Sequence, residues 1–349
     1  MEIELRSDTF TKPTPNMLSA MFSAEVGDDV FQEDPTVRSL EEKAARLFGK
    51  EAGIFCPSGT MTNQIAIKVH TQPGHEVICE KTSHIYYYEG GGIAFNSGSS
   101  VRLVQGNRGR ISAQDVLENV NPDNIHNPVT SLVSLENTCN KGGGSYYDLK
   151  EIKAIRKVCD DNNLILHLDG ARLFNALVET NDNWIEFANQ FHTISLCLSK
   201  GLGTPVGSVL IGTGEHIKKA RRIRKVLGGG WRQAGFLAAA GIYALDHHIE
   251  RLKEDHRRAQ TIASALKDIP FVKEILPVDT NIIVFVLQDS FPANEFIESL
   301  AAKGIKVALF GKQTIRMVTH LDFTDDMLEK TVNELKALDG VRTSGKILI

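Results

Sequence analysis

Leu196-Cys197-Leu198-Ser199-Lys200-Gly201-Leu202-Gly203-Thr204-Pro205-Val206-Gly207 is the stretch whose reading decides the fold. The run from Thr193 to Leu198 is apolar and β-prone, stops at a lysine, and gives way at once to turn-forming residues. A strand that ends on a lysine and opens into a glycine-rich turn holds the amine at a strand end, where backbone can approach closely. Lysine is the side chain that forms Schiff bases when desolvated or crowded by other cations. A strand ending in a solvated lysine fits the same residues, so the reading turns on a second stretch upstream.

That second stretch is Leu164-Ile165-Leu166-His167-Leu168-Asp169-Gly170-Ala171-Arg172. It is again a continuous apolar run, the pattern of a strand buried on both faces, and it ends in an acid, two small residues and an arginine. A carboxylate at the end of a buried strand is costly unless paired. Pyridoxal phosphate supplies such a pairing, because a carboxylate keeps its ring nitrogen protonated and the cationic ring then acts as an electron sink. An Asp capping the next helix explains the residue equally well on its own; the two stretches together point to the cofactor.

Asp169-Gly170-Ala171-Arg172 followed by Ser199-Lys200-Gly201-Leu202-Gly203-Thr204-Pro205-Val206-Gly207 resembles the low-specificity L-threonine aldolases, pyridoxal-phosphate enzymes of fold type I in the β-eliminating lyase group. The resemblance begins at Leu5-Arg6-Ser7-Asp8-Thr9 and runs to about Thr324.

Composition is ordinary for a soluble globular protein. The chain has 349 residues, 42% hydrophobic and 23% charged, with a formal charge of −4. That length exceeds what one core usually serves, so two domains are expected, and the charge gives no reason to expect nucleic acid or an anionic membrane as partner. Met1-Glu2-Ile3-Glu4 lacks the basic and apolar regions of a signal peptide, and no apolar run approaches spanning length. Five cysteines without metal spacing fit free thiols in a reducing, cytoplasmic setting. Cys56 and Cys197 read as core.

Strand, helix, strand alternation from Ile54 to Ile211 predicts an α/β fold with a mostly parallel sheet flanked by helices, Asp169 and Lys200 lying at carboxyl ends of strands. The boundaries read as a large cofactor-binding domain over 15–248, with the N-terminal arm 1–14 joining a small α+β C-terminal domain over 249–349. Asp34 caps a helix begun by Pro35 and ended by Gly49. The acids of Gly27 to Asp34 read as a solvated loop, Ile217 to Lys225 as a solvated basic helix, Tyr86 to Tyr88 as core, and His247, His248 and His256 as surface histidines, not a metal cluster. Phe236 to Ala265 reads as helix throughout.

Ser58-Gly59-Thr60 before a helix offers hydroxyls and unpaired N–H groups, a ready anion site, though a plain N-cap explains it too. The resemblance implies that Ser58, Gly59 and Thr60 bind the cofactor phosphate with Arg232, the latter reaching from a partner subunit. It implies that His84 stacks on the cofactor ring and touches the substrate hydroxyl, that His126 faces the substrate side chain, and that Phe31 reaches a neighbouring site. Arg316 lies between apolar neighbours, and a buried-strand arginine needs an anionic partner; in the family it clamps the substrate carboxylate, with Arg172 and Ser7. Lys200 then carries the cofactor, Asp169 its ring nitrogen, and His84, His126 or a water they hold serves as the base. No metal ligand set is apparent. The products of L-threonine or L-allo-threonine cleavage would be glycine and acetaldehyde. β-Elimination or racemisation by the same constellation, and a cofactor-carrying module without turnover, are the competing readings. A nucleotide-binding protein would need a glycine fingerprint or phosphate loop that does not occur. The resemblance also implies a homo-oligomer, a tetramer, with shared active sites. Phe31 and Gln32 depart from the family's common Tyr and Gly, and Cys139 and Lys141 from its His and Gly near Asn140.

Overall fold

The computed structural model describes residues 2–343; the tail Ser344 to Ile349, which the sequence leaves unassigned, lies outside the described residues. A short strand, β1 (Ile3–Glu4), opens the chain. The central sheet contains β2 (Ala52–Cys56), β3 (His75–Glu80), β4 (Ser100–Val104), β5 (Val129–Glu136), β6 (Ile165–Gly170), β7 (Thr193–Cys197) and β8 (Ser208–Gly212), in the order β2-β8-β7-β6-β5-β3-β4. Neighbours from β7 to β4 run parallel, while β8 is antiparallel to both β7 and β2. The exception follows from the connection. Only the glycine-rich turn separates β7 from β8, and a parallel return would need a crossover of a dozen residues or more. β7 and β8 are buried along their whole length, as expected for strands covered on both faces.

Helix starts follow local chemistry. Asp34 Oδ1 accepts from the N–H groups of Thr36 and Val37, at 3.1 and 2.9 Å, and capping boxes open the helices Ala113–Glu118 and Leu149–Asp161. No helix among the described residues is long and apolar enough to cross a membrane.

A second sheet is fully antiparallel. It orders β9 (Val272–Ile275), β10 (Ile282–Leu287), β12 (Ala308–Gly311) and β13 (Thr314–Val318) as β12-β13-β10-β9, while β11 (Ile305–Lys306) pairs in parallel with β1. Ile3 and Leu5 are buried in the same apolar cluster as Phe285, Phe296 and Met317. The first residues of the chain are therefore built into the core formed by its last third.

Five local expectations fail, three of them because a long-range partner wins. Asp29 is not solvated, and Asp34, besides capping its helix, is buried as well. Asp29 pairs with Arg224 at 2.6 Å, both buried, and Asp34 Oδ2 accepts from the N–H groups of Gly27 and Gly235. The basic helix, Gly214–Val226, thus turns one arginine inward. His248 and His256 are buried too. His256 is bonded to Glu179 and lies 2.9 Å from Asn175 Oδ1, and His248 Nδ1 lies 2.7 Å from the Leu202 carbonyl. Tyr86, Tyr87 and Tyr88 are 43, 58 and 43% exposed instead of core. Helix breaks between His247 and Leu252, dividing the predicted long helix into Gly235–His247 and Leu252–Lys267.

Removing Asp29 leaves the Arg224 guanidinium buried without its counter-charge. The Asp29→Ala chain is expected to unfold at lower denaturant, losing about 3–5 kcal/mol, with Asp28→Ala, which removes the partner of the exposed Arg232, as the mild control.

Candidate active site

Three ionisable groups close adjacent parallel strands. Glu136 ends β5, and its register partner on β6 is Asp169. Lys200 follows β7 in the turn, where its carbonyl accepts from Thr11 Oγ and from the Gly203 N–H, each at 2.9 Å. The turn demands glycine: Gly207 has φ +113°, and a Cβ there would meet the Phe55 ring at 2.4 Å. An open cleft of about 340 Å³ lies above these strand ends, lined by Ser7, His84, Glu136, Lys200, Phe310 and Arg316 among others.

Behind the cleft the charges are linked in a chain. Asp169 is 2% exposed; its Oδ2 accepts from Asn63 Nδ2 at 2.9 Å and its Oδ1 from the Ala171 N–H at 3.1 Å. Asn63 Nδ2 also donates to Glu89 Oε1 at 2.9 Å, and Gln64 Nε2 donates to Glu89 Oε2 at 2.6 Å. His84 Nδ1 lies 3.0 Å from Glu89 Oε1 and donates to it, leaving Nε2 as the acceptor nitrogen. Burial works to lower the His84 pKa, but the Glu89 hydrogen bond and the negative charges of Asp169 and Glu89 outweigh it, and the net shift is upward from 6.5. Glu136 accepts from the N–H groups of His84 and Asn140, at 2.7 and 2.8 Å. Burial and the charge of Asp169 push its own pKa up.

Two arginines border the cleft in different states. Arg172 is already engaged: its Nε and Nη2 each donate to Asp8 at 2.7 Å in a buried bidentate pair. Burial alone would raise the Asp8 carboxyl, but Arg172 drives it well below the ordinary 3.8. The clamp expected jointly of Arg172 and Arg316 is thus half occupied from within. Arg316, on β13, donates only to neutral oxygens, Asn140 Oδ1 and the Arg6 carbonyl, both at 2.9 Å, while its buried Nε has no partner. Phe310 covers it at 4.8 Å. Burial and the nearby Arg172 charge push its pKa down to about 10. This guanidinium lacks an anion and faces the cavity where one would sit. Ser7 is close by, its Oγ accepting from Thr9.

Ser58 caps the helix Gly59–His70, its Oγ accepting from the Met61 N–H at 3.2 Å. Gly59 and Thr60 are the first helical residues, so their N–H groups have no intrahelical acceptor. The buried Ser208 hydroxyl also lacks a partner and lies 3.6 Å from where a Gly59 Cβ would be.

Among the expected site residues, Ser58, Gly59, Thr60 and Asp169 lie outside the cleft lining, and so do three more on loops. His126 is exposed in the loop before β5, Phe31 is 70% exposed, and Arg232 pairs with Asp28 at 2.8 Å with its side chain 61% exposed. The cause is topological: all three sit on connections, not on strand ends.

The family pattern described as beta-eliminating lyase matches residues 4–290. The chain is 40% identical over 336 residues to the low-specificity L-threonine aldolase of Escherichia coli K12, covering 96% of this chain and 98% of that one. The chain belongs to the beta-eliminating lyase family. It is therefore an enzyme, a lyase. Among solved structures it resembles the Leishmania major threonine aldolase, with TM-score 0.82 at 22% identity over 97% of this chain and 99% of that one. It also resembles a serine palmitoyltransferase variant from S. paucimobilis with a bound PLP–myriocin aldimine, with TM-score 0.76 at 18% identity over 97% and 88%. The fold is that of the fold-type I pyridoxal-phosphate enzymes, as the two opening stretches implied.

In this lyase the sequence left Asn63, Glu136 and Asp8 without tasks. One signal was present for Asn63: Thr62, Asn63 and Gln64 are consecutive polar residues inside a helix, and all three are buried. Asp8 carried none, since its partner lies 164 positions away.

Because the folded-state pKa of Asp8 is depressed, its contribution to stability is present above the unfolded value of 3.8 and is lost as pH falls below it. Asp8→Asn removes that component. Urea unfolding from about pH 6 down to pH 3 should show a smaller acid loss in the variant than in the wild type, on a lower overall stability.

Proposed function

We propose that this chain is a pyridoxal-phosphate-dependent aldolase that cleaves L-threonine and L-allo-threonine, and related β-hydroxy-α-amino acids, to glycine and an aldehyde. The observation that carries the reading is the convergence of Lys200, His84 and the anion-lacking Arg316 on one cleft, with Asp169 buried behind it.

The residues present fit the cofactor. The partnerless Ser208 hydroxyl, the open side of Gly59 and the first N–H groups of the helix form a small anion cradle suited to a phosphate. Ser58, Gly59 and Thr60 would hold that phosphate, Lys200 the aldehyde carbon, and Asp169 the ring nitrogen. When bound, the cofactor supplies an electron sink for the pair released at the substrate's α-carbon.

The chain's own residues do the rest. Arg316, with Ser7 beside it, grips the α-carboxylate and fixes rotation about the Cα–N bond, which decides which bond at Cα is labile. The cationic Arg172 stays in place through Asp8 and contributes charge to the same corner. Glu89 holds the His84 Nδ1 proton, so Nε2 is free to take the β-hydroxyl proton as the Cα–Cβ bond breaks and the aldehyde departs. His84 is the base favoured over His126, because it lines the cleft and His126 is exposed in its loop. Phe310, Leu309 and Ala308 form an apolar wall for the side chain of the substrate and for excluding water.

The division into 15–248, with 1–14 and 249–349 as the second body, is supported by separate buried clusters around the two sheets. Exposed Phe22, Phe31, Phe95 and Val226, 83, 70, 89 and 85% accessible, support a homo-oligomer, a tetramer in which Phe31, His126 and Arg232 serve a neighbour's site. A cytoplasmic location goes with this reading and with five free, buried cysteines. Active monomers in sedimentation would refute the shared site.

Incubation with pyridoxal phosphate and L-threonine should release acetaldehyde and glycine in equal amounts, and Lys200→Ala should release neither; equal activity in both chains would end the proposal. Arg316→Lys should raise KM about tenfold to a hundredfold, the worth of a charged bidentate contact. The raised His84 pKa places the acid limb of kcat/KM above pH 6.5, and a limb below that value would remove His84 as the base.

A further inference from the structure

One side-chain amide lies between the two carboxylates behind the cleft. Asn63 is 1% exposed, on the buried face of the helix Gly59–His70. One hydrogen of Nδ2 goes to Asp169 Oδ2 and the other to Glu89 Oε1, each at 2.9 Å. Its Oδ1 lies 3.2 Å from His167 Nε2, and His167 Nδ1 lies 3.1 Å from the Thr193 carbonyl and 2.9 Å from the Thr193 hydroxyl. The orientation of the amide is therefore determined, because a flip would set Oδ1 against two carboxylates. Glu89 Oε1 is shared. It receives a hydrogen from Asn63 and another from His84 Nδ1, while Oε2 takes one from Gln64.

We infer that Asn63 is a positioning residue which, through the hydrogen its amide donates to Glu89, sets the basicity of His84 Nε2, while its other hydrogen holds Asp169 in place. The inference rests on the roles of His84 and Asp169 proposed above and deepens them. A donor to a carboxylate favours the ionised form and reduces its basicity. While Asn63 holds Glu89 Oε1, that oxygen pulls less strongly on the His84 proton, and Nε2 stays basic enough to accept a proton yet able to release it near neutral pH. Without the amide, Glu89 grips His84 harder and both buried carboxylates lose a donor. The other groups facing His84 are Glu136 from β5, Asp169 from β6 and Lys200 from the turn after β7, with Tyr88 in its own segment and Arg172 and Arg316 also lining the cleft. Of these, only Asp169 loses a hydrogen bond in an Asn63 variant.

The test uses the full chain without cofactor, isotope-labelled at histidine. In Asn63→Leu the NMR titration midpoint of His84 should move up by roughly one pH unit relative to wild type, the scale of one lost charge-assisted hydrogen bond. In Glu89→Gln it should move down, since the paired charge is gone. With pyridoxal phosphate added, the acid limb of kcat/KM should shift in Asn63→Leu by the same amount and in the same direction. If Asn63→Leu does not fold by circular dichroism, Asn63→Ser replaces it, as one short hydroxyl cannot bridge two carboxylates; the same upward movement is expected. An unmoved His84 midpoint in a folded variant overturns the inference. Because that midpoint is read in the apoprotein, a wild-type chain that cleaved no L-threonine would sink the aldolase reading and not this measurement.

Discussion

Charge at the ends of buried parallel strands is the constraint on which this structure depends. β5, β6 and the turn after β7 bring Glu136, Asp169 and Lys200 together at the carboxyl ends of the strands, and burying the two carboxylates costs free energy unless they are paired. The protein offsets the cost of burying the two carboxylates with hydrogen bonds to each, while Lys200 faces the open cleft. Two backbone N–H groups hold Glu136, an amide and an N–H hold Asp169, and the Lys200 backbone is tied by Thr11. A site built this way is pre-organised, because the partners that make burial tolerable also fix where each group points.

The same logic explains why the chain's first residues return to the sheet edge. Asp8 is the counter-charge for Arg172 and sits 3.4 Å from the Asn281 amide nitrogen, so the N-terminal arm joins the sheet edge to β10's approach. β1 pairs with β11, and Val318 donates its N–H to the Leu5 carbonyl. The arm thereby carries Ser7 to the cleft while β13 carries Arg316. Two walls of one cavity come from opposite ends of the sequence, and the apolar cluster that includes Ile3 and Leu5 holds them at fixed separation.

Much of the fold was legible in residue order. The apolar runs around Leu166 and Ile194 and the cap at Asp34 all appear where their local chemistry puts them. Three of the misreadings share one cause. Asp29, Arg224 and His256 look like surface residues in a polar local context, and each is buried because a distant partner satisfies it. The tyrosines at 86–88 err the other way. They look like core, yet Tyr87 and Tyr88 stand partly exposed beside the Lys141 ammonium at the cleft's edge, 5.4 and 5.7 Å from their ring centres. Cation–π contact gives an aromatic ring a reason to remain at the surface.

By itself the sequence determined the alternation of strands and helices, the glycine turn that must follow Lys200, and the pairing of an acid-ended with a lysine-ended strand that marks the cofactor. These are properties of periodicity, turn geometry and residue type within a few positions of each other. Only the tertiary structure decided that Asn63 links Asp169 to Glu89, that Asp8 occupies Arg172, and that Arg316 keeps an unpaired face for a carboxylate. Those outcomes depend on which polar and charged groups meet after burial across separations of 106, 164 and 176 residues. Electrostatic compensation acts through space and leaves no period in the chain.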